Sequence, residues 1–242
     1  MIKGKFTART LGVAFSVMGA VSVAEAAPIL NISAEGIAAA ELAEASFLAG
    51  LNGGQVLTES FEGFADGVQQ NSFSTAVGTF TQTLAGGSPS AVCAPNCADG
   101  LAVLSDVTSP FTGRFPAPQE AGNNQWLDSF DSQITTLTVL SGFNAIGFYM
   151  TDPNDVDGRM TVGGVDFSFA DIFGQSNGNG EVYFITLYDE AGLGDIVFHA
   201  NGVDDGFGID SVTIGTVPEP GTLALMGLGL LGLGITRRRR AA

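Results

Sequence analysis

From Gln55 onward the chain is a series of short apolar runs separated by clusters of Gly, Asn, Asp and Pro. The runs at 56–62, 73–83, 101–107, 134–141, 145–151, 159–169, 182–188, 195–200 and 209–215 are rich in β-branched and aromatic residues. Such runs between turn-forming clusters predict strands. Ile146, Phe148 and Met150 alternate with their neighbours, as do Val165, Phe167 and Phe169. That period of two is expected where one face of a sheet is buried. Strands in this number, with no helical pattern between them, predict a mainly β fold, a jelly-roll β-sandwich. Before Gln55 the pattern changes. Ser33 to Leu51 is rich in Ala, Glu and Leu, and Asn52-Gly53-Gly54 stops it. This predicts a short N-terminal helix capped by Ser33, with Glu35 in its first turn. Its apolar stripe is poor, because Ile37 and Leu48 share a face with Glu41.

Both ends carry export patterns. Lys3, Lys5 and Arg9 precede an uncharged, mostly apolar stretch from Leu11 to Val23, followed by Ala24-Glu25-Ala26. A positive region, an apolar region and a small-x-small site in that order predict a signal peptide over 1–26, cut by signal peptidase after Ala26, with Ala27 the alternative. Residues 221–236 form an uncharged run of sixteen residues. As a helix this run spans roughly 24 Å, less than the ~30 Å hydrocarbon core, which suits a temporary transmembrane helix. Arg237, Arg238, Arg239 and Arg240 follow at once. Clustered arginines stay on the cytoplasmic side, so the segment between the two ends is expected outside. The predicted organisation is a signal peptide over 1–26, an N-terminal helical segment over 27–55, a sandwich over 56–216 and a tail over 217–242.

Charge narrows the partners. Residues 27–217 hold two arginines, Arg114 and Arg159, no lysine, and 23 acids, a net charge of −21. Nucleic acid and anionic lipid are poor partners for such a surface, because binding them depends on Lys and Arg meeting phosphates. Cations, neutral sugars or a high-salt medium fit better. Solubility alone is an equal explanation of the acidity.

Val217-Pro218-Glu219-Pro220-Gly221 stands directly before the apolar run. Pro218, Glu219 and Pro220, a short apolar segment and the terminal arginines together resemble the PEP-CTERM sorting signal. The resemblance covers about the last 26 residues. It implies a Gram-negative envelope, membrane attachment through the tail before processing, and an exosortase that cuts at or near Pro-Glu-Pro. It also implies an association with exopolysaccharide and biofilm matrix. Glu59–Gly63, Phe143–Asp152 and Asp205–Ile214 resemble the sandwich domain common in PEP-CTERM proteins. That domain is similar to galactose-binding-like and carbohydrate-binding-module jelly rolls, so calcium and glycan are the ligands it implies.

Candidate chemistry is sparse. In 209–215 Asp210 alternates with Val212 and Ile214, which points its carboxylate toward the apolar face. Glu59 shares a face with Leu57 and Phe61. A carboxylate so placed needs hydrogen bonds or a cation. In jelly rolls of this resemblance the first and last strands are neighbours, with a structural Ca2+ near their ends. Glu59, Glu62 and Asp210 are therefore candidate ligands for a hard cation that takes six to eight oxygens. Backbone capping by Asp210 is the equal alternative. Asp152–Gly158 is an acidic turn that fails the EF-hand pattern. Cys93 and Cys97 are expected to form a disulfide in an oxidising compartment, closing a tiny loop. Gly174-Gln-Ser-Asn-Gly178 matches the serine-hydrolase string without its strand-to-helix setting, and the lone His199, with Asp189 or Asp195, completes a triad on paper only. Trp126, Tyr149, Phe148 and Tyr183 are sugar-stacking or core aromatics. Trp126, in a loop-like stretch, is the one expected to be exposed and glycan-binding. The leading expectation is a non-enzymatic matrix protein with a structural or glycan-binding role. A polysaccharide hydrolase using paired carboxylates is the alternative.

Overall fold

The computed structural model describes residues 27–51, 54–84, 100–130, 132–153, 156–174, 179–200 and 206–217. In chain order the elements are β1 (Ile29–Ile32), α1 (Ile37–Gly50), β2 (Val56–Glu59), β3 (Val68–Gln70), β4 (Ser72–Ser74), β5 (Gly78–Leu84) and β6 (Leu101–Ser105). They continue with β7 (Gln125–Asp128), β8 (Ile134–Val139), β9 (Ala145–Thr151), β10 (Arg159–Val162), β11 (Val165–Ser168) and α2 (Phe169–Ile172). The last three are β12 (Val182–Tyr188), β13 (Asp195–His199) and β14 (Gly208–Gly215). The signal peptide, both cysteines, Gln175–Gly178 of the serine string and the tail from Pro218 onward lie outside the described residues.

Two antiparallel sheets face each other. The larger has the order β1-β12-β9-β14-β7-β6-β3, with β2 also paired to β14, and the smaller β11-β10-β13-β8-β5-β4. The chain is therefore mainly β, and the sandwich fits a jelly-roll-like arrangement. As the resemblance implied, β2 and β14 are neighbours, with Val56 opposite Gly215 and Glu59 opposite Val212. The interior lies between the sheets. Ile146, Phe148, Met150, Ile185, Leu187, Val212 and Ile214 of one meet Phe80, Leu137, Met160, Val162, Ile196 and Phe198 of the other. Each such side chain contributes about 1.5–3 kcal/mol by leaving water.

The larger sheet is covered on its other face too. There α1 lays Ile37, Ala40, Ala43 and Phe47 on Tyr149, Val182 and Phe184. Alanines at the contact let the helix approach closely, and Gly147 accommodates Phe47: a Cβ there would lie 2.8 Å from its ring. Beside the helix, Phe111 and Phe130 cover Ala102, Leu104 and Trp126. Burial on both faces makes every residue of β9 and β14 buried. The smaller sheet instead shows alternation, as in β8.

Four expectations are corrected. The helix starts at Ile37 after Gly36 (φ 103), with no side-chain cap. Ser33 instead accepts a bond from the Phe184 amide at 3.0 Å and so ties the end of β1 to β12. Residues 29–32, placed in the helical segment, form β1 along β12. The run 159–169 is a hairpin plus a helical turn, because Gly163 and Gly164 (φ 56 and 78) supply a two-residue connection. Such turns need positive φ at both central residues. The run 73–83 is likewise two paired strands, β4 and β5. Among the described residues no helix is long and apolar enough to cross a membrane.

Candidate functional site

Two polar clusters lie on the helix side of the larger sheet, where the chain from 106 to 124 crosses it. In the first, Arg114 donates to Asp128 at 2.9 Å and its Nε is 3.9 Å from Asp152. The three side chains are at most 3 % exposed. Asp128 also accepts from Trp126 Nε1 at 3.1 Å and the Phe130 amide at 2.8 Å. Asp152 accepts from the Gly180 amide at 3.0 Å. The guanidinium lies 4.2 Å from the Phe111 ring centre, a cation–π contact. Neither this cluster nor its role had a sequence signal beyond Arg114 being one of two interior cations. It holds the chain around Arg114, β7 and the residue after β9 together.

The second cluster is built on Asp210. Its carboxylate accepts from the Ala117 amide at 2.8 Å, Asn123 Nδ2 at 3.0 Å and the Ser211 amide at 2.6 Å. Burial pushes its pKa well above the usual carboxylate value, against the lowering effect of those three donors; Glu62 adds to the rise. Asp210 does not share a face with Val212 and Ile214, as alternation predicted. A β-bulge between Asp210 and Thr213, with Ser211 at φ 46, inserts one residue. A one-residue insertion flips the face of everything before it. Ile209, Val212 and Ile214 thus face the interior while Asp210 faces Ala117 and Asn123.

The other candidate metal ligands are capping groups as well. Glu59 accepts from the Phe61 amide at 2.9 Å and the Ala76 amide at 3.0 Å. Glu62 accepts from the Asn124 amide at 2.5 Å and the Gln125 amide at 2.7 Å. Among the described residues no three His, Cys, Asp or Glu side chains form a metal-holding group, so Glu59, Glu62 and Asp210 are not brought together as one. Trp126 is also corrected: it sits in β7, fully buried, with its indole nitrogen on Asp128. Phe148, Tyr149 and Tyr183 are core residues. His199 contacts Arg159 at 3.4 Å, and burial followed by the Arg159 charge lowers its pKa. Asp189 instead caps the Ala191 amide.

One cleft of about 470 Å3 has acids in its wall. Glu44, Glu120, Leu48, Thr58, Asn123 and Ser211 are among the lining residues. Tyr149 donates to Glu44 at 2.7 Å. Burial raises the Glu44 pKa, the Tyr149 bond opposes the rise, and Glu120 and Glu41 reinforce it. Burial also raises the Tyr149 phenol, and Glu44 adds to this.

At the end of β14 the chain is held to its last described residue. Asn144 accepts from the Val217 amide at 2.8 Å and donates to the Val217 carbonyl at 3.1 Å. One side chain thus reproduces a strand pairing immediately before Pro218. Ile29 and Val217 line the same apolar groove, of about 300 Å3. The ends of the folded body therefore lie together.

Searches among curated proteins and among solved structures find no match. A family of short sorting sequences does match, over residues 216–240: the PEP-CTERM protein-sorting motif. The matched stretch starts at the residue after β14, so a completed sandwich passes without a linker into the motif of an exported exosortase substrate whose precursor is anchored in a membrane.

Proposed function

We propose that this chain is a non-enzymatic structural component of the envelope or extracellular matrix of a Gram-negative bacterium. It is delivered by exosortase processing of its tail and associates there with exopolysaccharide. The observation that carries the reading is the sorting motif joined directly to a closed, acidic sandwich. The interior arginines support it. Arg114 is buried on Asp128, and Arg159 lies 3.3 Å from Asp166, so both side chains are engaged with acids. A structural role is favoured over sugar recognition because none of the aromatic side chains described is exposed. Sugar-binding platforms rely on exposed rings.

The test is replacement of Pro218, Glu219 and Pro220 together by alanine in the producing cell. The variant is expected to accumulate in the membrane fraction at precursor size, while the parent chain is shortened and recovered with the matrix. Equal shortening of both would contradict the reading. Hydrolysis is the second reading, favoured by the raised Glu44 facing Glu120 across one cleft. Paired carboxylates are what glycoside hydrolysis uses. Release of reducing ends from matrix polysaccharide, lost in Glu44→Gln and Glu120→Gln, would transfer the conclusion to an enzyme.

A further inference from the structure

We propose that the end of the sandwich from which the tail leaves is a lipid-facing surface, resting on the bilayer while the precursor is anchored. The proposal rests on the anchored-precursor reading and adds an orientation to it. One rung of the larger sheet defines this end. Ile29 pairs with Tyr188, Tyr188 with Ala145, Ala145 with Gly215, and Gly215 with Val56. The chain enters the fold at one strand of this rung and leaves from another. Four strand spacings separate Ile29 from Val56, about 19 Å.

Three observations converge there. The first is exposed apolar surface. Ile29, Val56 and Leu140 are 54 %, 43 % and 44 % exposed, and Leu140 lies on the 140–144 connection beside Val77 at the same end. The second is charge. The strand ends that meet at this rung, within 27–30, 55–58, 140–147 and 213–217, hold no acid or base, in a body that carries 23 acids. Asp189, buried, follows Tyr188 directly and bonds through its amide to the Asn144 carbonyl, and Glu190 and Asp195 lie beyond it toward the smaller sheet. An acidic body is repelled by an anionic leaflet, and the uncharged strand ends of the larger sheet are the part that approaches with least of that cost.

The third is reach. Only Pro218, Glu219 and Pro220 separate Val217 from the apolar run that begins at Gly221. Fully extended, that span covers at most about 14 Å. The polar layer of a leaflet is itself roughly 5–8 Å deep. With Asn144 gripping both backbone groups of Val217, no slack is added from the body's side. The signal peptide, before its removal, joins at the same end, two residues before β1.

The full-length precursor in nanodiscs of phosphatidylethanolamine bearing a photoreactive headgroup tests this, with adducts mapped by mass spectrometry. Adducts are expected in the tail and in 27–32, 54–58 and 138–144, severalfold more than in α2 and 179–181 at the other end. Adducts in the tail alone, or equally at both ends, would overturn the proposal and leave the anchored precursor standing. No adducts in the tail would remove the anchored precursor and the proposal with it.

Discussion

Replacing Arg114 with methionine is expected to lower the unfolding free energy by about 3–5 kcal/mol, the usual effect of removing one partner from a buried ion pair. The magnitude follows from what is left behind. Asp128 and Asp152 are 0 % and 3 % exposed, and both face the guanidinium. Without it, two carboxylates remain out of water and near each other with no cation. Methionine fills much of the space under Phe111, so cavity formation is a minor part of the loss. Asp128→Asn should be milder. Arg114 then keeps Asp152, and the amide oxygen still accepts from Phe130, leaving the Trp126 indole as the main lost bond. Urea unfolding measures both. A shift in midpoint at unchanged slope reports stability alone. An Arg114→Met loss below that of Asp128→Asn would show that the cluster is not held by its cation.

The second large effect is expected at Asp210. Alanine there strands two buried donors, the amides of Ala117 and Ser211, and leaves the Asn123 side-chain amide with only its bond to the Pro118 carbonyl. Each stranded donor costs about 1–3 kcal/mol, so the loss is at least about 2 kcal/mol. Asparagine keeps the shape and removes the buried charge, with one donor left facing another. The two variants therefore separate hydrogen bonding from charge. Acidity adds a further test. Burial raises the Asp210 pKa in the folded state above its usual 3.8. The folded state then holds that proton more tightly than the unfolded one. Its contribution is fully present below pH 3.8 and is lost as pH rises through the folded value. Wild type should thus gain stability relative to Asp210→Asn as the pH is lowered from neutral, and the difference should level off below the unfolded value. Referring wild type to Asp210→Asn cancels the response of the other acids.

These clusters explain where the sequence was readable. The strands of the smaller sheet announce themselves, because one face is wet and Thr136, Leu137, Thr138 and Val139 alternate in burial. The larger sheet loses that signal, since the helix and the 106–124 segment bury its second face. Asn123–Trp126 therefore reads as loop-like, although Gln125–Asp128 is a strand and Trp126 and Asp128 are the floor of the Arg114 cluster. Asp128 makes sense in a strand only once Arg114, fourteen residues earlier, is beside it. The position of Asp210 failed for a different reason. Alternation was right in principle, but the bulge sits on a serine, and nothing local marks Ser211 for positive φ. The three-carboxylate calcium proposal depended on that face assignment. Glu59 and Asp210 do need partners, as their apolar-face placement implies, and backbone amides fill that need; Glu62, offered only as a calcium ligand, caps amides too. The tail was legible because its information lies in the order of segments along the chain, which folding does not rearrange.

The polarity of the two ends supports an orientation as well as an address. Gly215, Val217 and Ile29 gather at one end of the fold. Both termini of the body can therefore be held at one membrane surface without stretching the domain across it.

Intact mass of the protein recovered from the envelope and matrix of the producing cell tests the central claim most directly. A chain beginning at Ala27 and ending at or near Pro218–Pro220 is the predicted species. An unshortened polypeptide from Met1 to Ala242, recovered from the cytosol, would contradict it.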